Sequence, residues 1–428
     1  MMRAQINNVF QGLNTSPTLA INELVARRRS LGLPTYHLGF GQSPHPVHPS
    51  IVAEKLTNRK LDDKRYIHSQ GLWQARENIA GYYSKLLRPG IHADDVIIST
   101  GSKPLLMGAL KVHDGPLLLP EASWVSYEPQ AKLVGKQIIS IPVDAENDYK
   151  IDISKLEEVL KNLPSEQQPL LLINSPNNPT GAVYNDNELK ELARLSKKYG
   201  VLVLSDEIYG EVTFDGVYRS ISHYYPEGTL VTGGMSKSFS AGGYRIGLMV
   251  VPDNLKDFRR AMVALLSEYN SCAESSAQYA AVKAYSGDPA IGAYTQKCNH
   301  IHQAMLHYSS NILKNVGVKV SEIGGAFYLF PDFEIMRSDL IQTSDDLALN
   351  LLDKYGVATL PGSAFLRDSN HLNLRISPVD YDGEHAHKIY DEFLSQGKDV
   401  LSDEFVELAA PNVFKGMKLI AEAAQNGF

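Results

Sequence analysis

One lysine in this chain stands where few surface lysines do. Lys237 lies in Gly234-Met-Ser-Lys-Ser-Phe-Ser-Ala-Gly-Gly-Tyr-Arg-Ile-Gly247, just after a run that reads as a strand end, Thr229 to Gly233, and Arg245 follows eight residues later. Small residues on both sides let backbone and a bulky ligand come close. An ammonium kept partly desolvated beside a cation loses its proton more readily, and the free amine can then condense with a carbonyl. A solvated lysine in a flexible Gly/Ser loop fits the same stretch, which alone leaves both readings open.

Arg375 is a second charge in an unusual setting, because it interrupts the apolar run His371-Leu-Asn-Leu-Arg-Ile-Ser377. An unpaired charge inside a strand is costly. It either faces solvent on an alternating strand or grips a carboxylate with both arms of its guanidinium. Strand ends carry further candidates. Leu170 to Ile173 runs into Asn174-Ser-Pro-Asn-Asn-Pro-Thr-Gly181, which sets Asn177 and Asn178 at a strand's carboxyl end, the ligand edge of open α/β sheets. Such Asn/Pro/Gly loops are also ordinary turns. Val201 to Leu204 ends in Ser205-Asp-Glu-Ile-Tyr-Gly210, where Asp206 taken alone reads as a helix cap. Asp95 to Thr100 leads into Gly101-Ser-Lys103 and a helix from Pro104 to Val112. A small-residue turn of that kind offers unpaired N–H groups and the positive end of a helix dipole to a phosphate.

Taken together, these motifs resemble those of the class I/II aminotransferases, pyridoxal-phosphate (PLP) enzymes of fold type I, over about Glu23 to Phe393. The resemblance implies an α/β fold, with a large domain built on a mostly parallel seven-stranded sheet and a smaller α/β domain made from both chain ends. The expected division is 46–300 for the large domain and 1–45 with 301–396 for the small one, leaving 397–428 as a C-terminal extension with no assigned role. Its Phe414, Met417, Leu419 and Ile420 suggest an amphipathic helix packed on the body. Lys237 would hold the cofactor and serve as the catalytic base. Asp206 would keep the pyridine nitrogen protonated, Tyr209 and Asn178 would serve the ring oxygen, and Trp124 in Trp-Val-Ser-Tyr127 would stack on the ring. Gly101, Ser102, Lys103, Ser236 and Arg245 would take the phosphate, joined by Tyr66 from the second subunit of a homodimer. Arg375 would hold the α-carboxylate of an L-amino acid, in a pocket that Trp124 and Asn178 share with Gly41 of the loop Tyr36 to Pro46.

Two details bear on the substrate. The family commonly has an acidic residue after that glycine and Asp-Phe after the proline, whereas here Gln42 and His45-Pro46 stand. Gly101-Ser-Lys103 and Trp-Val-Ser-Tyr resemble the aspartate aminotransferase subgroup, in which Lys103 could reach a distal carboxylate, so aspartate or glutamate is the expected donor and a 2-oxo acid the acceptor. An aromatic or kynurenine-type donor, or a PLP lyase of the same fold, stands as the alternative. A ligand-sensing regulator on this fold would carry an added DNA-binding domain, and no basic helical module is present to supply one.

Composition sets the outer limits. With 428 residues, 43% of them hydrophobic, the chain can bury cores for two domains. A net charge of -7, with Arg27-Arg28-Arg29 the single tight basic run, argues against a nucleic-acid partner. Cys272 and Cys298 show no ligand or disulfide spacing; they read as packing residues of a protein in a reducing compartment, with no metal expected. Neither a spanning apolar stretch nor an apolar signal region is visible, and a cytoplasmic protein with no membrane partner is expected. Helical patterns cover about 72–87, 186–199, 254–286, 289–315, 345–355 and 382–394, and short strands are expected at 316–320, 324–330, 357–360 and 371–377.

Overall fold

Runs of leucine, isoleucine and valine with no polar alternation need cover on both faces, and that requirement organises the molecule. A computed structural model describes residues 5–10, 12–57, 66–164 and 166–427. Its strands are Tyr36–His37 (β1), Val96–Ser99 (β2), Leu117–Pro120 (β3), Ile138–Ile141 (β4), Leu170–Asn174 (β5), Leu202–Asp206 (β6), Thr229–Gly234 (β7), Gly247–Val250 (β8), Val357–Ala358 (β9), Leu360–Pro361 (β10) and Leu374–Arg375 (β11). Among the described residues, β2 to β8 form a seven-stranded sheet in the order β2-β8-β7-β6-β5-β3-β4. Only β8 runs against its neighbours.

The helices are Pro17–Ser30 (α1), Pro49–Thr57 (α2), Trp73–Leu86 (α3), Ser102–Val112 (α4), Tyr127–Leu133 (α5), Ile153–Lys161 (α6), Asp186–Lys198 (α7), Lys256–Tyr269 (α8), Ser275–Ala284 (α9), Pro289–Asn315 (α10), Ser344–Tyr355 (α11), Gly383–Ser395 (α12), Asp403–Ala409 (α13) and Pro411–Asn426 (α14). Strand alternation distributes the core. Leu170 and Leu172 of β5 pack with Leu105 and Ala109 of α4 and Met262 of α8 on one face. Leu171 and Ile173 pack with Leu156 of α6 and Leu192 of α7 on the other. Toward β2 and β8, that second face is covered by Ile79 of α3 and Ala277 of α9.

A second core gathers Leu38, Leu306 of α10, Phe333, Leu351 of α11 and Leu374 of β11. The C-terminal helices belong to it: Phe405 and Val406 of α13 and Val413, Met417 and Ile420 of α14 are fully buried there. The chain after Gln396 is therefore part of that core rather than an appendage on it.

Two patterns differ from the expected ones. The helical stretch 254–286 is broken into α8 and α9, with Ser271 between them at φ 58, a left-handed conformation that ends a helix. The strands expected at 316–320, 324–330 and 371–377 shrink to two-residue ladders and single bridges such as Lys319 with Asp332 and Leu329 with Ile376. Ala326 at φ 57 and Pro331, which has no N–H to donate, interrupt the pairing. Among the described residues no helix is long and apolar enough to cross a membrane.

Candidate active site

Sheet topology brings the chemistry to one edge. The carboxyl ends of β2, β3, β5, β6 and β7 lead to Gly101, Trp124, Asn178, Asp206 and Lys237 respectively, and the reversed direction of β8 brings its amino end, preceded by Arg245, to the same edge. Trp124, Asn178, Asp206, Lys237 and Arg245 line one cleft of about 430 Å³, together with Gly41, Ser102, Lys103, Tyr209, Ser236 and Arg375. Gly101 adjoins it as the N-cap of α4. Thus all but one of the site residues expected from sequence meet in or beside this cleft. Tyr66 does not, being 91% exposed at the edge of the described chain, and the two residues before it in the motif, Lys64 and Arg65, lie outside the described residues.

Lys237 is held by a hydrogen bond from Nζ to the Gly41 carbonyl at 2.6 Å. Its pKa falls to about 7, first because it is desolvated and next because the Arg375 cation lies nearby, with Arg245 and Lys103 adding to the effect against the opposing pull of Asp206. At neutral pH a large share of this amine is unprotonated. The solvated-loop reading of Lys237 is excluded by that environment.

Asp206 ends β6 and is 2% exposed. Its carboxylate accepts from Tyr127 Oη at 2.8 Å and Thr232 Oγ1 at 3.1 Å, yet burial still raises its pKa. No helix starts after β6, so Asp206 is not a cap. A buried anion supplied with only neutral donors is suited to a cationic partner.

Arg375 is 1% exposed and has no carboxylate within salt-bridge range among the described residues. Nη1 donates to Asn178 Oδ1 at 3.0 Å and Nη2 to the Gly39 carbonyl at 2.6 Å, while Nε is buried without a partner. Its guanidinium lies 4.7 Å from the Tyr328 ring centroid and 5.0 Å from that of Phe365. Because a guanidinium can only donate, it fixes the Asn178 amide with oxygen toward Arg375, leaving the NH₂ free to donate elsewhere.

The anion end of the cleft is built at Gly101. Its φ is 92°, and a Cβ there would stand 2.1 Å from Arg245 Nη2. Arg245, itself left-handed at φ 55, donates to the Gly242 and Thr100 carbonyls. The first N–H groups of α4 and the Arg245 guanidinium thus converge. Lys103 sits 5.0 Å above the Trp124 ring, and burial followed by the Arg245 charge lowers its pKa.

The family profile for aminotransferase class I and II matches residues 35–385. The chain belongs to that family. It is an aminotransferase, and enzymes of this family work with PLP. Among its relatives are an aspartate aminotransferase of Geobacillus stearothermophilus, 31% identical over 82% of this chain and 90% of that one, and a probable aspartate/prephenate aminotransferase of Aquifex aeolicus, 29% identical over 85% and 92%. The fold matches the structure of Thermus thermophilus aspartate aminotransferase with maleate at a TM-score of 0.83, covering 98% of this chain and 100% of that one at 23% identity.

Sequence reasoning missed several residues of this aminotransferase's cleft. Tyr328 bonds Tyr209 through the two hydroxyls at 2.6 Å and lies against Gly41, where a Cβ would meet its hydroxyl at 2.0 Å. The run Gly324-Gly-Ala-Phe-Tyr-Leu-Phe330 reads as a core strand, and nothing in its pattern separates Tyr328 from its buried neighbours. Tyr127, visible as the end of Trp-Val-Ser-Tyr, holds Asp206. Thr18 and Leu19 at the start of α1 close the cleft from far away in sequence.

Proposed function

We propose that this aminotransferase binds PLP and moves an amino group from a dicarboxylic L-amino acid, aspartate or glutamate, to a 2-oxo acid. The observation that carries the reading is Lys237: a desolvated, readily deprotonated amine held beside a buried arginine that has no carboxylate partner among the described residues. The residues fit the cofactor. Lys237 would hold it covalently, the Gly101 turn with Ser102, Ser236 and Arg245 would take its phosphate, and Asp206 would face its ring nitrogen. Tyr209 and the free NH₂ of Asn178 would serve its ring oxygen, and Trp124 its face. When bound, PLP supplies the group that receives the amine and an electron-withdrawing ring that stabilises charge at the donor's Cα.

The chain does the rest. Arg375 binds the donor's α-carboxylate with guanidinium N–H groups not taken by Asn178 and Gly39, which fixes the orientation of Cα toward Lys237. Lys237 Nζ, freed as the donor's amine enters, would take the proton from Cα and pass it on to the cofactor rather than back to Cα, a task for which a pKa near neutrality is suited. Lys103, partly desolvated over Trp124, offers a cation to the donor's second carboxylate. The aspartate aminotransferases among the relatives support that choice. We further infer a cytoplasmic homodimer, with Tyr66 of each subunit reaching the other's phosphate site.

Absorbance titration of the holoprotein tests this reading. L-aspartate should bleach the yellow form and 2-oxoglutarate should restore it, and the cycle should be absent from K237A. Bleaching by L-phenylalanine or L-kynurenine alone would overturn the dicarboxylate assignment and leave aminotransfer intact, and a colourless protein that takes up no PLP would overturn the cofactor assignment.

A further inference from the structure

Behind the loop that carries Gly41, three side chains from distant parts of the chain point at one another. His45 follows Gly41 by four residues, Cys298 lies mid-way along α10, and His387 is in the second turn of α12. His387 Nε2 is 3.1 Å from His45 Nδ1 and 3.7 Å from Cys298 Sγ, and all three atoms lie within 4.8 Å of one another. A tetrahedral ion with metal–nitrogen bonds of about 2.0–2.1 Å and a metal–sulfur bond of about 2.3 Å has ligand-to-ligand edges of roughly 3.3 Å for N···N and 3.6 Å for N···S. The two shortest separations already match those edges.

The surroundings set the imidazoles for such a role. Tyr381 Oη lies 3.3 Å from His45 Nε2 and 3.4 Å from His302 Nδ1. If the phenol donates to His302 and accepts from His45 Nε2–H, the Nδ1 lone pair of His45 is left facing Cys298 and His387. The Tyr294 ring packs on His387 at 5.1 Å, and its hydroxyl donates to the Pro46 carbonyl at 2.6 Å, so α10 also fixes the backbone beside His45. Lys297, a cation whose field reaches His387, is paired with Asp391 at 2.6 Å. His45 and Cys298 are buried while His387 is half-buried, which leaves one side of the triad facing solvent for a fourth ligand.

We propose that His45, Cys298 and His387 form a binding site for a divalent transition metal of the Zn²⁺ or Co²⁺ type, with water as the fourth ligand. Two nitrogens and a sulfur select such ions over Mg²⁺ or Ca²⁺, which take oxygen ligands. Binding releases the thiol proton to solvent and leaves the oxidation state of metal and sulfur unchanged. The ion would tie the loop carrying Gly41, whose carbonyl holds Lys237, to α10 and α12. The site stands apart from the cleft and does not depend on which amino acid is the donor.

Metal binding to the full-length holoenzyme tests the assignment. After chelator treatment, the protein is titrated with Co²⁺, and separately dialysed against Zn²⁺ with metal content measured. One ion per chain should be retained, and the Co²⁺ adduct should show a thiolate-to-metal charge-transfer band. C298S should abolish that band, C298S and H387Q should each weaken binding by more than about 100-fold, and Y381F, which removes an outer partner, by about 10–100-fold. The spectrum of the wild-type adduct decides the matter even if a variant misfolds. Retention well below one ion per chain, a Co²⁺ adduct without the thiolate band, or equal affinity in folded C298S would each overturn the proposal.

Discussion

Arg375 carries a positive charge into the core and, among the described residues, meets there carbonyl oxygens and aromatic faces. Burying an ion without a counter-ion costs several kcal/mol in a folded protein, so the chain holds this charge at the expense of its own stability, and a ligand carboxylate relieves the penalty. The same charge acts on Lys237, lowering its pKa as the largest influence after burial. One substitution therefore reads out both roles. R375Q should lose about 2–5 kcal/mol of transition-state binding, roughly 30- to 4,000-fold in kcat/KM for the amino donor. In the cofactor-free protein, the rate at which Lys237 captures an aldehyde should rise with pH through a midpoint near 7, because only the deprotonated amine reacts. Without the Arg375 cation the protonated amine is less disfavoured, so in R375Q that midpoint moves up, staying below the ordinary lysine value because burial persists. A midpoint unchanged by R375Q would show that burial alone sets the amine's pKa.

At the scale of elements, the site depends on where strands stop. Each of β2, β5, β6 and β7 ends at the same edge and hands over to a short loop, and the antiparallel β8 closes the set by bringing Arg245 back to Gly101. Gly101 is a tight point of that closure. At φ 92 and ψ 172 its backbone occupies a region open in practice only to glycine, and a side chain would push on the Arg245 guanidinium. G101A should lower stability by about 1–3 kcal/mol, seen as a fall in the melting temperature, and should also weaken PLP binding. R245A should weaken PLP binding with little change in melting, since its guanidinium bonds only exposed carbonyls. These strand-end motifs were legible in sequence because each is local: apolar run, polar loop, then a helix or the next strand. The bond from Lys237 to the Gly41 carbonyl and the place of Tyr328 against that same carbonyl were not, since both depend on how the segment 324–330 lies across the loop at 39–41. The His45, Cys298 and His387 cluster was invisible for the same reason, as its members lie 253 and 89 residues apart, taking 298 − 45 and 387 − 298.

At the scale of the molecule, the described chain builds almost the whole site alone. Its C-terminal helices lock the second core, from which Arg375 projects, with Phe405, Val413, Met417 and Ile420 fully buried against Leu38 and Leu374. Tyr66 is the exception. An exposed tyrosine that no contact among the described residues explains, while the other residues proposed for the phosphate converge elsewhere, fits service to a second copy. Such an arrangement has a consequence no single-chain role reproduces. Let K237A and Y66A chains be mixed under conditions that allow subunit exchange. In a K237A/Y66A heterodimer, the site holding Lys237 belongs to the Y66A chain but receives Tyr66 from the K237A chain, and is complete. The other site lacks both groups. Random exchange of equal amounts puts half the chains' pairings into heterodimers, each with one intact site of two, so activity should recover to about a quarter of wild type, above the mean of the two separate variants. If Tyr66 serves its own chain instead, every site in the mixture lacks one residue or the other, and mixing yields only that mean.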